Sequence, residues 1–122
     1  MSSLRRTIEG EVLVHHLVRS EQMIDQDLLA KHGRTARTVV KEGPLRLTLI
    51  ALAAGGTLPS HATDDPVTIQ VLDGTVVFDA AGREYPLALG DVLVLAAGVD
   101  HSARSEGGVL FLLTVVHSGI QQ

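Results

Sequence analysis

The chain has 122 residues, of which 45% are hydrophobic and 20% are charged, and these proportions are typical of one globular domain. It contains no cysteine, which excludes a disulfide framework, a cysteine-ligated zinc ribbon and a thiol nucleophile. Because only three residues are aromatic, the core is expected to consist mainly of Val, Leu, Ile and Ala side chains.

The net charge of −4 is unevenly distributed, with +1 over residues 1–43 and −5 over residues 44–122. An acidic body with few aromatic residues lacks both phosphate contacts and stacking platforms, so we expect no nucleic-acid partner. No run approaches the ~18 apolar residues of a membrane span. Glu9 and Glu11 interrupt any signal-peptide core. The sequence therefore predicts a cytoplasmic protein with no membrane partner.

The first third of the chain predicts a strand followed by a helix. Valine and leucine residues alternate over about residues 10–18, which is typical of a strand with apolar side chains on both faces. Ser20 is a candidate N-cap for a helix over about residues 20–32, and Gly33 suits the position after its C-terminus. The predicted helix carries an apolar stripe made of Met23, Ile24, Leu28 and Leu29.

From residue 36 onward, short apolar runs follow one another between glycine-rich turns. Strands of 4–8 residues at this spacing predict an all-β sandwich or barrel. Asp73-Gly74 lies between two such runs and predicts a tight hairpin, because both central residues of a type I′ turn need positive φ. We expect Val67, Ile69 and Val71 to point inward. The chain is thus predicted to be a single domain, with an N-terminal extension over 1–43 and a barrel core over about 44–116.

Two segments of the barrel carry a recognisable pattern. Residues 55–74 run from two glycines through His61 to a Val-Leu-Asp-Gly sequence, and residues 90–101 run from Gly-Asp through a strand to His101. In order and spacing these segments resemble the two motifs of the cupin superfamily. The resemblance covers about residues 44–116 and implies a double-stranded β-helix, also called a jelly-roll barrel.

The departures from the cupin motifs concern the metal site, which in the family consists of three histidines and one glutamate. Carried over residue by residue, the resemblance places His61 and His101 at the first and last histidine positions. Thr63 stands at the second histidine position and Val67 at the glutamate position. Two imidazoles are too few for a closed site. We therefore expect a divalent transition metal to bind weakly at His61 and His101 or not at all.

The leading functional hypothesis is a small-molecule binding protein without a complete metal centre. Its predicted ligand-binding residues are His61, Thr63, Val67 and His101, in an otherwise aliphatic pocket. One alternative is a metal-dependent or acid/base cupin enzyme of the isomerase, decarboxylase or dioxygenase type. Another is a non-catalytic regulatory or accessory module. The fold does not choose among these, and no catalytic residue is assigned.

The predicted N-terminal strand also bears on assembly. A single barrel would cover only one face of a strand that is apolar on both, and soluble monomers rarely expose large apolar patches. We therefore expect a homodimer, with residues 10–18 or the 20–32 helix in the contact.

Overall fold

The computed structural model describes residues 12–17 and 20–118, which contain two short helices and nine strands. A 3₁₀ helix spans Ser20–Met23, and the α-helix α1 spans Gln26–His32. The strands are β1 Arg34–Glu42, β2 Leu45–Leu52, β3 Thr57–His61, β4 Val67–Gly74, β5 Val76–Ala80, β6 Arg83–Leu87, β7 Val92–Leu95, β8 His101–Arg104 and β9 Val109–Val116.

The strands form two antiparallel sheets in the jelly-roll arrangement. The five-stranded sheet has the order β1-β2-β9-β4-β7, and the four-stranded sheet has the order β3-β8-β5-β6. The chain passes repeatedly from one sheet to the other, so that most neighbours within a sheet are distant in sequence. The all-β barrel expected from the spacing of apolar runs is therefore confirmed.

The principal core lies between the two sheets. The expected inward residues Val67, Ile69 and Val71 are each 1–2% exposed, while Gln70 between them is exposed. The only two phenylalanines, Phe78 and Phe111, face each other across this core in an edge-to-face contact, with ring centroids 5.7 Å apart. The alternation along β4 thus follows from the period-2 geometry of a strand with one buried face.

A second apolar cluster covers the outer face of the five-stranded sheet. Its buried members are Ile24, Val39, Val40, Leu49, Ala51, Leu110 and Leu112. Leu13 and Leu17 pack against it from the N-terminal segment. The predicted strand over 10–18 is wrong in its described part, since residues 12–17 form no strand. The segment uses its leucines as contacts on a sheet face instead of pairing along a sheet edge.

The N-terminal helix also differs from the prediction. Residues 20–23 form only a 3₁₀ turn, and α1 begins at Gln26 with Asp25 as its N-cap. The Asp25 carboxylate accepts a hydrogen bond from the backbone N–H of Leu28 at 3.0 Å, as capping aspartates do. The predicted C-terminus is confirmed, because Gly33 caps the helix with φ +77°. Ile24, directly before this cap, is 7% exposed and belongs to the second apolar cluster.

The hairpin predicted at Asp73-Gly74 is wrong. β4 pairs with β7 and β9, whereas β5 pairs with β6 and β8, so the chain changes sheets at this point. Gly74 has φ +82°, and a Cβ there would lie 2.2 Å from the carbonyl oxygen of Gly108. The glycine is thus needed where the chain crosses between the sheets beside another backbone. The Asp-Gly pair has the sequence of a hairpin turn but forms this crossing instead.

The apolar runs in the sequence do not predict the full extent of three strands, β1, β3 and β8. β1 begins at Arg34 and pairs along its length with β2, so the barrel sheet starts within the predicted extension 1–43. β3 and β8 have the sequences TLPSH and HSAR, which are not apolar runs. Among the described residues, no helix is long and apolar enough to cross a membrane.

Candidate functional site

Two histidines meet at one end of the four-stranded sheet. His61 ends β3 and His101 begins β8, and the two are directly paired in the register of these strands. Their ring centroids are 4.3 Å apart, with the ring planes at 57°. His101 is 5% exposed, whereas His61 is exposed at the barrel mouth. The structure thus forms a pair of imidazoles with one buried and one accessible member.

A bulge in β3 turns His61 toward the interior. Leu58 pairs with Ala103 and His61 pairs with His101, so three steps on β3 match two steps on β8. Because side chains alternate along a strand, residues 58 and 61 would point to opposite faces of a regular strand. The extra residue restores His61 to the face of Leu58, which packs on the core. The bulge therefore places the imidazole at the site.

Both imidazoles are held in the same way. The Nδ1 atom of His61 lies 3.2 Å from the carbonyl oxygen of Pro59, and that of His101 lies 3.0 Å from the carbonyl oxygen of Val99. A carbonyl oxygen only accepts hydrogen bonds, so each Nδ1 carries the proton and donates. In the neutral rings Nε2 is then a lone-pair acceptor. Among the described residues neither Nε2 has a hydrogen-bond partner.

The imidazoles lie at the wall of a small cavity between the sheets, with a volume of about 50 Å³. Thr63 and Val67 line the same cavity, and its remaining wall is apolar: Ile50, Leu58, Ile69, Phe78, Phe111 and Leu113. All four residues of the predicted ligand site are thus brought together here. A single water molecule needs ~10–15 Å³, so the cavity admits only a small group.

Thr63 lies in the connection between β3 and β4. Its hydroxyl donates to the carbonyl oxygen of Asp65 at 2.8 Å, and its carbonyl oxygen accepts from the N–H of Gly98 at 2.8 Å. The first bond occupies the hydroxyl proton and leaves the oxygen lone pairs available as acceptors. The second bond ties the loop after His61 to the loop before His101.

The donor set does not fit the metal centre that the cupin motifs imply. Val67 is 2% exposed and presents only methyl groups to the cavity. Within residues 12–17 and 20–118, no group of three or more His, Asp or Glu side chains could hold a metal ion. Two imidazoles without a carboxylate offer neither the ligand number nor the charge compensation of such a site.

The nearest buried carboxylate serves another purpose. Asp65 is 8% exposed and accepts hydrogen bonds from the hydroxyl and the backbone N–H of Ser118, at 2.6 and 3.3 Å. The Nδ1 atom of His117 lies 3.5 Å from the other carboxylate oxygen. The hydroxyl of Ser118 is the main reason that the pKa of Asp65 is lowered. Asp65 therefore links the β3–β4 connection to the end of β9 and does not complete the histidine site.

Sequence reasoning missed one charged residue at this end of the barrel. Ala80 pairs with His101 on one side and with Arg83 on the other, so His61, His101, Ala80 and Arg83 form one row across the four-stranded sheet. Directly paired residues point to the same face. The two-residue loop Ala81-Gly82 could have indicated the pairing of Arg83 with Ala80, but not its relation to the histidines.

The comparisons with known proteins agree with this fold. The family model for the cupin domain matches residues 48–117, so the chain belongs to the cupin family. No protein of curated function is significantly similar to it in sequence.

Solved structures show the fold alone, since their identities to this chain are low. A conserved protein of unknown function from Streptococcus pyogenes is 24% identical with a TM-score of 0.71, and 98% of each chain is covered. An RmlC-like cupin from Desulfovibrio desulfuricans is 23% identical with a TM-score of 0.70, covering 87% of this chain and 97% of that one. Salicylate 1,2-dioxygenase from Pseudoaminobacter salicylatoxidans, solved with gentisate, is 20% identical with a TM-score of 0.67, covering 81% and 30%.

Proposed function

We propose that this cupin binds a small organic molecule at the two-histidine end of its barrel, without a complete metal centre. The observation that carries the proposal is the pair of Nε2 acceptors of His61 and His101 beside an apolar cavity. Each ring is fixed through Nδ1, so the acceptors are oriented before a ligand arrives. Thr63 adds a hydroxyl and Val67 an apolar wall, which is the usual composition of a ligand site.

The size of the cavity restricts how such a ligand would bind. A volume of about 50 Å³ is well below the ~300–1,000 Å³ of pockets that enclose a drug-sized molecule. A groove of about 720 Å³ at the same end of the four-stranded sheet is also lined by His101. We propose that one small group of the ligand enters between the sheets while the remainder lies in this groove.

The two alternatives differ in what they require of the site. A metal-dependent enzyme needs donors that the described residues do not supply. A non-catalytic accessory module needs no cavity, and the small volume between the sheets favours it as the second candidate.

The test is a fragment screen followed by amide NMR on the ¹⁵N-labelled protein. We expect binders to shift the resonances of β3 and β8, and His101→Gln to abolish those shifts. His32→Gln is the matched control, because His32 is an exposed residue at the end of α1. No binder at this end of the barrel, or binding unaffected by His101→Gln in a folded variant, would refute the proposal. A stoichiometric transition metal in protein purified without an affinity tag would favour the enzyme.

We also propose that the chain forms a homodimer through the outer face of the five-stranded sheet and the N-terminal segment. Val12 and Val14 are 77% and 66% exposed beside the leucines that pack on this face. Val92 and Val94, on β7 at the edge of the same sheet, are 55% and 66% exposed. A second copy would bury both groups, and a two-fold dimer is the commonest arrangement of soluble oligomers.

A further inference from the structure

We infer that the ligand of this site carries a carboxylate, recognised by Arg83, together with a hydroxyl group that donates to the histidines. This inference rests on the proposed small-molecule function and specifies the chemistry of its ligand. The row of paired residues that runs from His61 and His101 through Ala80 to Arg83 is the juxtaposition that supports it.

Arg83 differs from the other two arginines of residues 44–118 in its contacts. Residues 44–122 contain only three basic side chains other than histidine: Arg46, Arg83 and Arg104. Arg46 donates to the carbonyl oxygens of Gly43 and Leu45. Arg104 pairs with Asp79 and Glu84, at 2.9 Å each. In the described part of the chain, no hydrogen bond or ion pair involves the Arg83 guanidinium.

The position of Arg83 connects it to the imidazoles. Neighbouring strands lie about 4.8 Å apart, so two strand steps separate the backbones of His101 and Arg83 by about 10 Å. The residue between His101 and Arg83 in the row is Ala80, whose side chain is small. Arg83 and His101 both line the groove of about 720 Å³. A ligand spanning a few bonds can therefore contact both groups.

Arg83 and the two histidines recognise different chemical groups. A guanidinium offers a planar fork of N–H donors that matches a carboxylate. An imidazole that is protonated only at Nδ1 accepts at Nε2, so it complements a hydroxyl donor rather than a second anion. Asp79 and Asp100 also line the groove, and they oppose a ligand carboxylate. The ion pair with Arg104 compensates the charge of Asp79, whereas no salt bridge within the described residues involves Asp100.

The experiment compares three small probes that share a carbon skeleton: lactate, propionate and 1,2-propanediol. Lactate has both groups, propionate lacks the hydroxyl, and the diol lacks the carboxylate. We expect lactate to bind at least about fivefold more tightly than either of the others in amide NMR titrations at pH 7.5. The shifted resonances should belong to β8 and to the β5–β6 hairpin.

Variants decide which group is responsible. Arg83→Gln should weaken lactate binding about tenfold and leave the diol unchanged, and Arg83→Lys should recover only part of the loss. Asp100→Asn should tighten lactate binding, because it removes the opposing charge. Lys31→Gln is the matched control, since it removes one positive charge from an exposed position on α1. Thermal unfolding establishes that each variant is folded.

The outcomes separate the two proposals. If the diol binds at the histidines as tightly as lactate, or if Arg83→Gln leaves lactate binding unchanged, the inference about the carboxylate is wrong while the small-molecule function stands. If none of the three probes perturbs β8 or the hairpin at 50 mM, the carboxylate inference is rejected. If the fragment screen also finds no binder there, the proposed function is rejected with it.

Discussion

Replacing Thr63 by His and Val67 by Glu should convert the candidate site into a metal centre. Both side chains line the cavity that His61 and His101 share, so the double variant would present three imidazoles and one carboxylate to one volume. Glutamate is larger than valine by two heavy atoms and histidine is larger than threonine by three, so the added atoms would fill the cavity of about 50 Å³. The native chain then lacks only the donors of a metal centre.

The magnitude of the effect has two parts. Val67 is 2% exposed, so Val67→Glu without metal buries an unpaired carboxyl group and should lower the free energy of unfolding by about 2 kcal/mol or more. With Zn²⁺ at a hundred times its Kd, the folded state gains about 2.7 kcal/mol. For a domain of this size, each kcal/mol shifts Tm by roughly 4 °C, so the metal should raise Tm by about 10 °C.

Calorimetric titration of metal-free protein measures the affinity directly. We expect the double variant to bind Zn²⁺ at least about a hundredfold more tightly than the native chain, because it adds both ligand number and charge compensation. Thr63→His with Val67→Gln is the matched control, since glutamine keeps the shape of glutamate and removes its charge. Equal affinities for the native chain and a folded double variant would mean that the four positions do not converge.

Three further predictions concern stability and assembly. The lowered pKa of Asp65, from its ordinary value of 3.8, means that its carboxylate stabilises the fold above that value and that this contribution is lost as the pH falls through the lowered pKa. Urea unfolding between pH 7 and pH 3 should therefore show a steeper loss of stability for the native chain than for Asp65→Asn, and parallel curves would contradict this. Gly74→Ala should lower the free energy of unfolding by about 2–4 kcal/mol, because φ is positive and the new Cβ would lie 2.2 Å from the Gly108 oxygen. Gly82→Ala, with φ +77° and open space around the new Cβ, should lower it by about 1 kcal/mol in the same assay. Light scattering at micromolar concentration should give twice the 12.9 kDa mass of one chain, and Val14→Lys should reduce that mass to the mass of a monomer. A native mass near 13 kDa rejects the dimer, and a Val14→Lys protein that stays dimeric rejects this interface.

The candidate site shows how far local sequence could lead. His61 and His101 were found because the cupin motifs fix their spacing, and the mismatches at Thr63 and Val67 were visible by the same comparison. The direction of the His61 side chain was not predictable from alternation, because it depends on the bulge between Leu58 and His61. Arg83 was missed because its place in the same row as His101 depends on the pairing of β5 with β8, which are more than 20 residues apart.

By itself, the sequence determined the all-β class, the inward face of β4, the end of α1 at Gly33 and the family pattern around the two histidines. These features depend on period-2 alternation, on the conformational freedom of glycine and on residue spacing, all of which act over short stretches of chain. Only the tertiary structure decided that residues 12–17 pack on a sheet face, that Gly74 crosses between sheets and that Arg83 joins the histidine row. Each of these features depends on contacts between segments that are far apart in sequence. A local sequence pattern does not report the free energy of such contacts.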